Sequence, residues 1–76
     1  MVSYRPLFIL LATRGLSKAD LRRLANISPN TMTKLRRGEE VSMTILNKIC
    51  AALNVTYGDI MEYIHPENAE SKQSIL

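Results

Sequence analysis

The sequence predicts an all-α fold, a single bundle of five short helices. Three observations lead there: a helix-start signature that recurs four times, stop residues placed between those starts, and the near absence of apolar alternation. In each start an apolar residue precedes a serine or threonine, and a second apolar residue follows four positions after the hydroxyl. The sets are Leu16-Ser17-Leu21, Ile27-Ser28-Met32, Val41-Ser42-Leu46 and Val55-Thr56-Ile60. The hydroxyl accepts from a first-turn N–H that has no partner within the helix, while the apolar pair staples the incoming chain to that turn.

The first helix is expected over about Arg5 to Arg14, stopped by Gly15, with Leu7, Leu10, Leu11 and the stem of Arg14 facing inward. The second opens at Ser17, with Asp20 at the spacing of a capping box, and buries Leu21, Leu24 and Ala25; Asn26 can take the left-handed conformation that ends it. The third opens at Ser28 and has Pro29 in its first position, where the missing N–H costs nothing. Met32 and Leu35 are its inner residues, and Gly38 ends it. The fourth follows Ser42 and lines the core with Leu46, Ile49, Cys50 and Leu53. The fifth opens at Thr56, with Asp59 as a second box partner, and is expected to turn Ile60, Met61 and Ile64 inward. No segment alternates enough to predict a strand, although Val2 to Tyr4 suits an extended run. Residues 1–65 form the expected domain, and the polar stretch 66–76 is expected to be a flexible tail.

Size narrows the function classes. A chain of 76 residues buries only about 60% of its unfolded surface, which leaves little room for a deep catalytic cleft. No metal cluster, phosphate-cradling glycine loop or nucleophile with an identifiable base stands out, so no enzyme activity, cofactor or small-molecule substrate is expected. Cys50 sits on an apolar stripe as a small core residue, and the lone His65 reads as a loop residue. A single cysteine cannot form an internal disulfide. The longest apolar run, Leu7 to Ala12, falls far short of the ~20 residues of a membrane span. It is also shorter than a signal peptide's apolar core, with Arg14 close behind. The expectation is a cytoplasmic protein with no membrane partner.

Charge points to a partner. The net charge is +3 and the pI 9.4, but the distribution is uneven. Residues 17–38 hold Lys18, Arg22, Arg23, Lys34, Arg36 and Arg37, six of the ten basic residues, against Asp20 alone. An even spread would place roughly three there. From residue 55 the sign reverses, with Asp59, Glu62, Glu67 and Glu70 against Lys72. Two readings stay open on charge alone: an anionic partner on the positive side, or basic side chains that keep a small domain soluble.

The second and third helices concentrate the basic groups. Only Asn26 and Ile27 separate the end of one from the cap of the other, and so short a connection makes the helices cross steeply, as in a helix-turn-helix. With Ile27, Met32 and Leu35 inward, Asn30, Thr33, Lys34 and Arg37 point out, and Pro29 and Thr31 lie near the tip. That surface offers amide, hydroxyl, ammonium and guanidinium groups, and no carboxylate to repel phosphate.

These residues resemble the lambda-repressor/Cro class of helix-turn-helix DNA-binding domains, the XRE family. The resemblance rests on LSKADLRRLANISPNTMTKLRRG, Leu16 to Gly38, and extends more loosely through VSMTILNKICAALNVTYGDI, Val41 to Ile60. The family's hydroxyl at the start of helix two matches Ser17, its apolar positions match Leu21, Ile27, Met32 and Leu35, and its glycine after helix three matches Gly38. Three positions depart from the pattern. Arg22 stands where the family usually has alanine, so close packing requires its stem to reach outward. Asn26 stands where glycine is usual, and Pro29 replaces a frequent polar base-reader, leaving only apolar contact there.

The resemblance implies a five-helix lambda-repressor-like bundle whose third helix, about residues 28–37, lies in the major groove of double-stranded DNA. On that reading Pro29, Asn30, Thr33 and Lys34 read bases: Asn30 pairs with adenine and Lys34 donates to guanine. Ser17, Lys18, Thr31, Arg36 and Arg37 hold phosphates, Ser17 and Lys18 with help from the second helix's N-terminal amides. Arg22 and Arg23 lie either toward DNA or on the solvent side. Relatives dimerise to set two recognition helices about 34 Å apart. Tyr57, Met61 and Ile64 are the candidate interface of a homodimer, unless they simply pack on the first helix. The function implied is that of a small transcriptional regulator. An antitoxin of the same DNA-binding class is one alternative, with the stretch after His65 as its partner segment; the other is a protein-interaction adaptor that keeps the fold without binding DNA.

Overall fold

A computed structural model describes residues 1–65. The elements in order are β1 (Val2–Ser3), α1 (Arg5–Thr13), α2 (Lys18–Ala25), α3 (Pro29–Arg37), α4 (Met43–Leu53), α5 (Tyr57–Ile60) and β2 (Glu62–Tyr63). The expected tail, 66–76, lies outside the described residues.

Each expected start forms, and three of the four by the expected bond. Ser17 Oγ accepts from Asp20 N at 3.0 Å, Ser28 Oγ from Thr31 N at 3.0 Å, and Ser42 Oγ from Ile45 N at 3.3 Å. At Ser17 the box is closed, since Ser17 N donates back to Asp20 Oδ2 at 2.8 Å. Thr56 differs. Its N–H and its hydroxyl both donate to Asp59 Oδ2, at 3.0 and 3.1 Å, so the carboxylate rather than the hydroxyl does the accepting.

The stops share one construction. Gly15, Asn26, Gly38 and Asn54 all have positive φ, between 56° and 74°. In each case the following residue donates its N–H back to a carbonyl five positions earlier: Leu16 to Leu11 at 2.8 Å, Ile27 to Arg22 at 3.1 Å, Glu39 to Lys34 at 2.9 Å and Val55 to Cys50 at 3.0 Å. This is the Schellman closure, which uses carbonyls the helix end would leave open. Leu16, Ile27 and Val55 therefore do two things: they close one helix and begin the staple of the next. Asn54 acts as a stop that the spacing did not reveal.

The core is contributed by every helix. It contains Tyr4, Leu7, Leu11, Leu21, Ala25, Ile27, Met32, Leu35, Leu46, Ile49, Leu53 and Ile60. Leu10, Cys50 and Met61 are packed against it but only partly buried. Leu24, expected inward, is 51% exposed. α2 packs against α4 through Leu21 and Ala25, and Leu24 lies on the flank beyond that seam. Arg14 is exposed as a residue, yet its Nη1 donates to Leu53 O at 2.6 Å. A cation thus meets the carbonyl end of α4, where the helix dipole favours it.

Two expectations are corrected at the end of the domain. The fifth helix is a single turn that stops at Ile60; Met61 is already extended, with φ −150° and ψ 162°. Ile64 is therefore not on a helix face, and it is 40% exposed. In its place a small antiparallel ladder pairs Val2 with Tyr63 and Ser3 with Glu62. Met1 extends the ladder, donating its amine to Ile64 O at 2.9 Å and accepting from Ile64 N at 2.6 Å. Strands of two residues are too short to carry a period-two signal, which is why the sequence pattern predicts no sheet.

Candidate nucleic-acid interface

α3 is anchored from inside and bare outside. Met32 and Leu35 are buried on it, Ile27 is buried just before its cap, and no acid occurs between Pro29 and Arg37. Pro29, Asn30, Lys34, Arg36 and Arg37 are exposed, whereas Thr31 and Thr33 are half-buried. Of the residues expected to point out, Asn30, Lys34 and Arg37 are exposed on one helix with Pro29 at its tip, whereas Thr33 is half-buried. Asn30 and Lys34 are four residues apart and so lie one above the other on the same face.

The two threonines are less free. Thr33 Oγ1 donates to Pro29 O at 3.1 Å, so only its lone pairs remain for a ligand unless that bond opens. Thr31 Oγ1 accepts from Ser28 Oγ at 3.0 Å and keeps its own proton for an outside acceptor. Lys34, Arg36 and Arg37 occupy the last turn, where their charge also complements the negative end of the helix dipole. Arg37 Nη1 lies 3.7 Å from Glu39 Oε2, a long contact between well-exposed groups that contributes little.

The start of α2 is more occupied than the sequence implies. The amides of Ser17 and Asp20 are both taken by the capping box, leaving those of Lys18 and Ala19 for an anion. The Asp20 carboxylate stands at the same place. The Ser17 N–H first, then the Arg23 guanidinium, hold its pKa down to about 2, so it is an anion at neutral pH. Arg23 Nη2 binds Asp20 Oδ1 at 2.8 Å, which turns Arg23 to a local task. Lys18 Nζ sits 5.5 Å from the centroid of the Phe8 ring, a cation–π contact that steadies an otherwise free ammonium.

Two features escape the sequence pattern. Lys48 Nζ reaches Asn26 O at 3.4 Å and so ties α4 to the turn between α2 and α3. Arg22 is half-buried, and its Nε is buried with no hydrogen-bond partner among the described residues. Arg22's replacement of a small residue was the available signal; for Lys48 nothing in the sequence pointed to the turn.

Of the candidate dimer residues, Tyr57 is 41% exposed and its hydroxyl donates to Asn47 Oδ1. Met61 is half-buried against the core, and Ile64 lies on the terminal ladder. Val2, Tyr57, Gly58, Met61, Glu62 and Tyr63 line one shallow apolar depression. Among the described residues, no group of three or more His, Cys, Asp or Glu side chains is placed to hold a metal ion, and no helix is long and apolar enough to cross a membrane.

A family model for the Cro/C1-type helix-turn-helix DNA-binding domain matches residues 7–66. A crystal structure of the transcriptional regulator VanUg is similar at 43% identity over 83% of this chain and 84% of that one, with a TM-score of 0.80. A comparison with curated protein sequences finds no significant match. With α2 and α3 joined by the tight turn at Asn26, and with the family match running through all five helices, the chain belongs to the Cro/C1-type helix-turn-helix DNA-binding domain family.

Proposed function

We propose that this protein is a sequence-specific regulator of transcription that lays α3 in the major groove of double-stranded DNA. The observation that carries the reading is the acid-free outer side of α3, with Asn30, Lys34, Arg36 and Arg37 exposed on a helix clamped by buried Ile27, Met32 and Leu35. Asn30 and Lys34, with Pro29 at the tip and Thr33 through its lone pairs, face the bases. Arg36, Arg37 and Thr31 hold the backbone beside them, and Lys18 grips a phosphate at the start of α2, with Ser17 shaping that turn. The 43% identity to VanUg, whose description is that of a transcriptional regulator, supports the same role.

The protein works in the cytoplasm as a homodimer on a pseudo-palindromic site. One module grips few phosphates, and two-fold pairing is the economical way to double the contact. The exposed Tyr57 and Ile64, with Met61 beneath, are the proposed interface. Ile64→Arg is expected to convert dimer to monomer in sedimentation equilibrium; an unchanged mass would exclude that face.

Selection of bound fragments from a random duplex library, read at several salt concentrations, tests the function. Enrichment of one motif is expected, and affinity should fall with log salt at about 0.9 per phosphate neutralised. Negligible binding at low salt would remove the DNA reading and favour an interaction adaptor.

A further inference from the structure

We infer that Arg22 is a phosphate-holding residue of the DNA interface, set in the crotch between α2 and α3; the inference rests on the DNA-binding reading above. Arg22 lies four residues after Lys18 and four before Asn26, so the three share one flank of α2, the flank from which the chain departs toward α3. Leu21 and Ala25 occupy the buried side, and Leu24 the opposite flank. The guanidinium therefore emerges beside the start of the recognition helix rather than on the far side of the domain.

Its surroundings among the described residues supply no anion. Nε is buried and has no hydrogen-bond partner among the described residues, yet the residue as a whole keeps some exposure. A half-buried side chain with a buried Nε has less freedom than a fully exposed one, and Nη1 and Nη2 are the donors left for an anion. Of the other arginines on α2 and at the end of α1, Arg23 is taken by Asp20 and Arg14 by the Leu53 carbonyl. Among the described residues no carboxylate pairs with Arg22. A guanidinium fork matches the paired oxygens of a carboxylate or a phosphate, and against DNA the available anion is phosphate; a partly buried fork loses less freedom on binding than the long, exposed Lys34 or Arg36 side chains. The position carries no base-reading geometry, so its contribution is alike for every sequence.

The test is fluorescence anisotropy of the full chain with a labelled random duplex, between ~50 and ~200 mM salt. Arg22→Met keeps the stem and removes the head. Its salt slope is expected to be shallower than wild type by about 0.9, so that the wild-type advantage grows about eightfold for each tenfold fall in salt. The loss should be equal on all duplexes, Arg22→Lys should retain most of the slope, and the Met variant should melt no lower than wild type. A Met variant with the wild-type slope overturns the inference while leaving DNA binding intact, as does a Lys variant as defective as Met. A wild-type protein that binds no duplex removes the underlying reading instead. If the Met variant does not fold, Arg22→Gln takes its place under the same criteria.

Discussion

Ser28 separates what the tip of the recognition helix does for folding from what it does for binding. In the structure Ser28 Oγ accepts from Thr31 N and donates to Thr31 Oγ1, both at 3.0 Å. Pro29 has no N–H to satisfy, so the Ser28 hydroxyl caps one of the few open donors of a nine-residue helix. Ser28→Ala leaves that amide to water and should cost about 1 kcal/mol of stability. For a domain of this size that corresponds to a fall in Tm of about 4–8 °C. Aspartate caps as well as serine and adds a charge that the helix dipole favours, so Ser28→Asp should keep the wild-type Tm. It also places a carboxylate at the docking tip. With a phosphate ~7 Å away, the repulsion is about 0.6 kcal/mol at the dielectric of water and about 2.4 kcal/mol at an effective value of ~20. The alanine variant should therefore lose stability but keep DNA affinity measured well below its Tm, and the aspartate variant should do the reverse. Circular dichroism melts and anisotropy titrations on the same preparations decide it. If Ser28→Asp binds duplex as tightly as wild type, the tip of α3 does not face DNA.

The remaining predictions follow from contacts already described. Lys34→Ala should cost about 1–3 kcal/mol and relax preference at one base position, whereas Lys18→Ala should weaken all duplexes alike and shallow the salt slope by about one; identical behaviour in a selection experiment would refute the division of roles. Arg14→Ala strips the Leu53 carbonyl of its charged partner and should cost about 1 kcal/mol, the low end because the side chain is solvent-exposed; a melt within error of wild type refutes the clamp. Asp20 has its pKa lowered from 3.8 to about 2, so its capping contribution is present above 3.8 and disappears as pH falls through about 2. Asp20→Asn should thus melt below wild type at neutral pH and converge with it near the bottom of that window, as a pH series of melts will show.

Most of the fold was legible because its signals are local. Ser17, Ser28 and Ser42 cap by bonds spanning three residues, and the left-handed stops at Gly15, Asn26 and Gly38 follow from residue chemistry alone. The misses are cases in which distant chain decides. The fifth helix gives way after one turn because residues 62–63 pair with residues 2–3, a contact no short window contains. Leu24 has helical spacing for burial, yet it is 51% exposed, because the buried seam of α2 runs through Leu21 and Ala25. The site was legible in type and less so in detail. The acid-free helix was plain from composition, whereas the engagement of Thr33 with Pro29 O and of the Ser17 amide with Asp20 depends on rotamers that spacing does not fix.

Ile27 closes α2 by its N–H to Arg22 O and also sits buried ahead of the Ser28 cap, so the turn has no slack residue. Two rods joined so tightly are expected to keep nearly the same angle to one another on binding. On the proposed function, accommodation to a target then falls to the duplex, and base steps that bend or twist readily gain an advantage at positions no side chain touches.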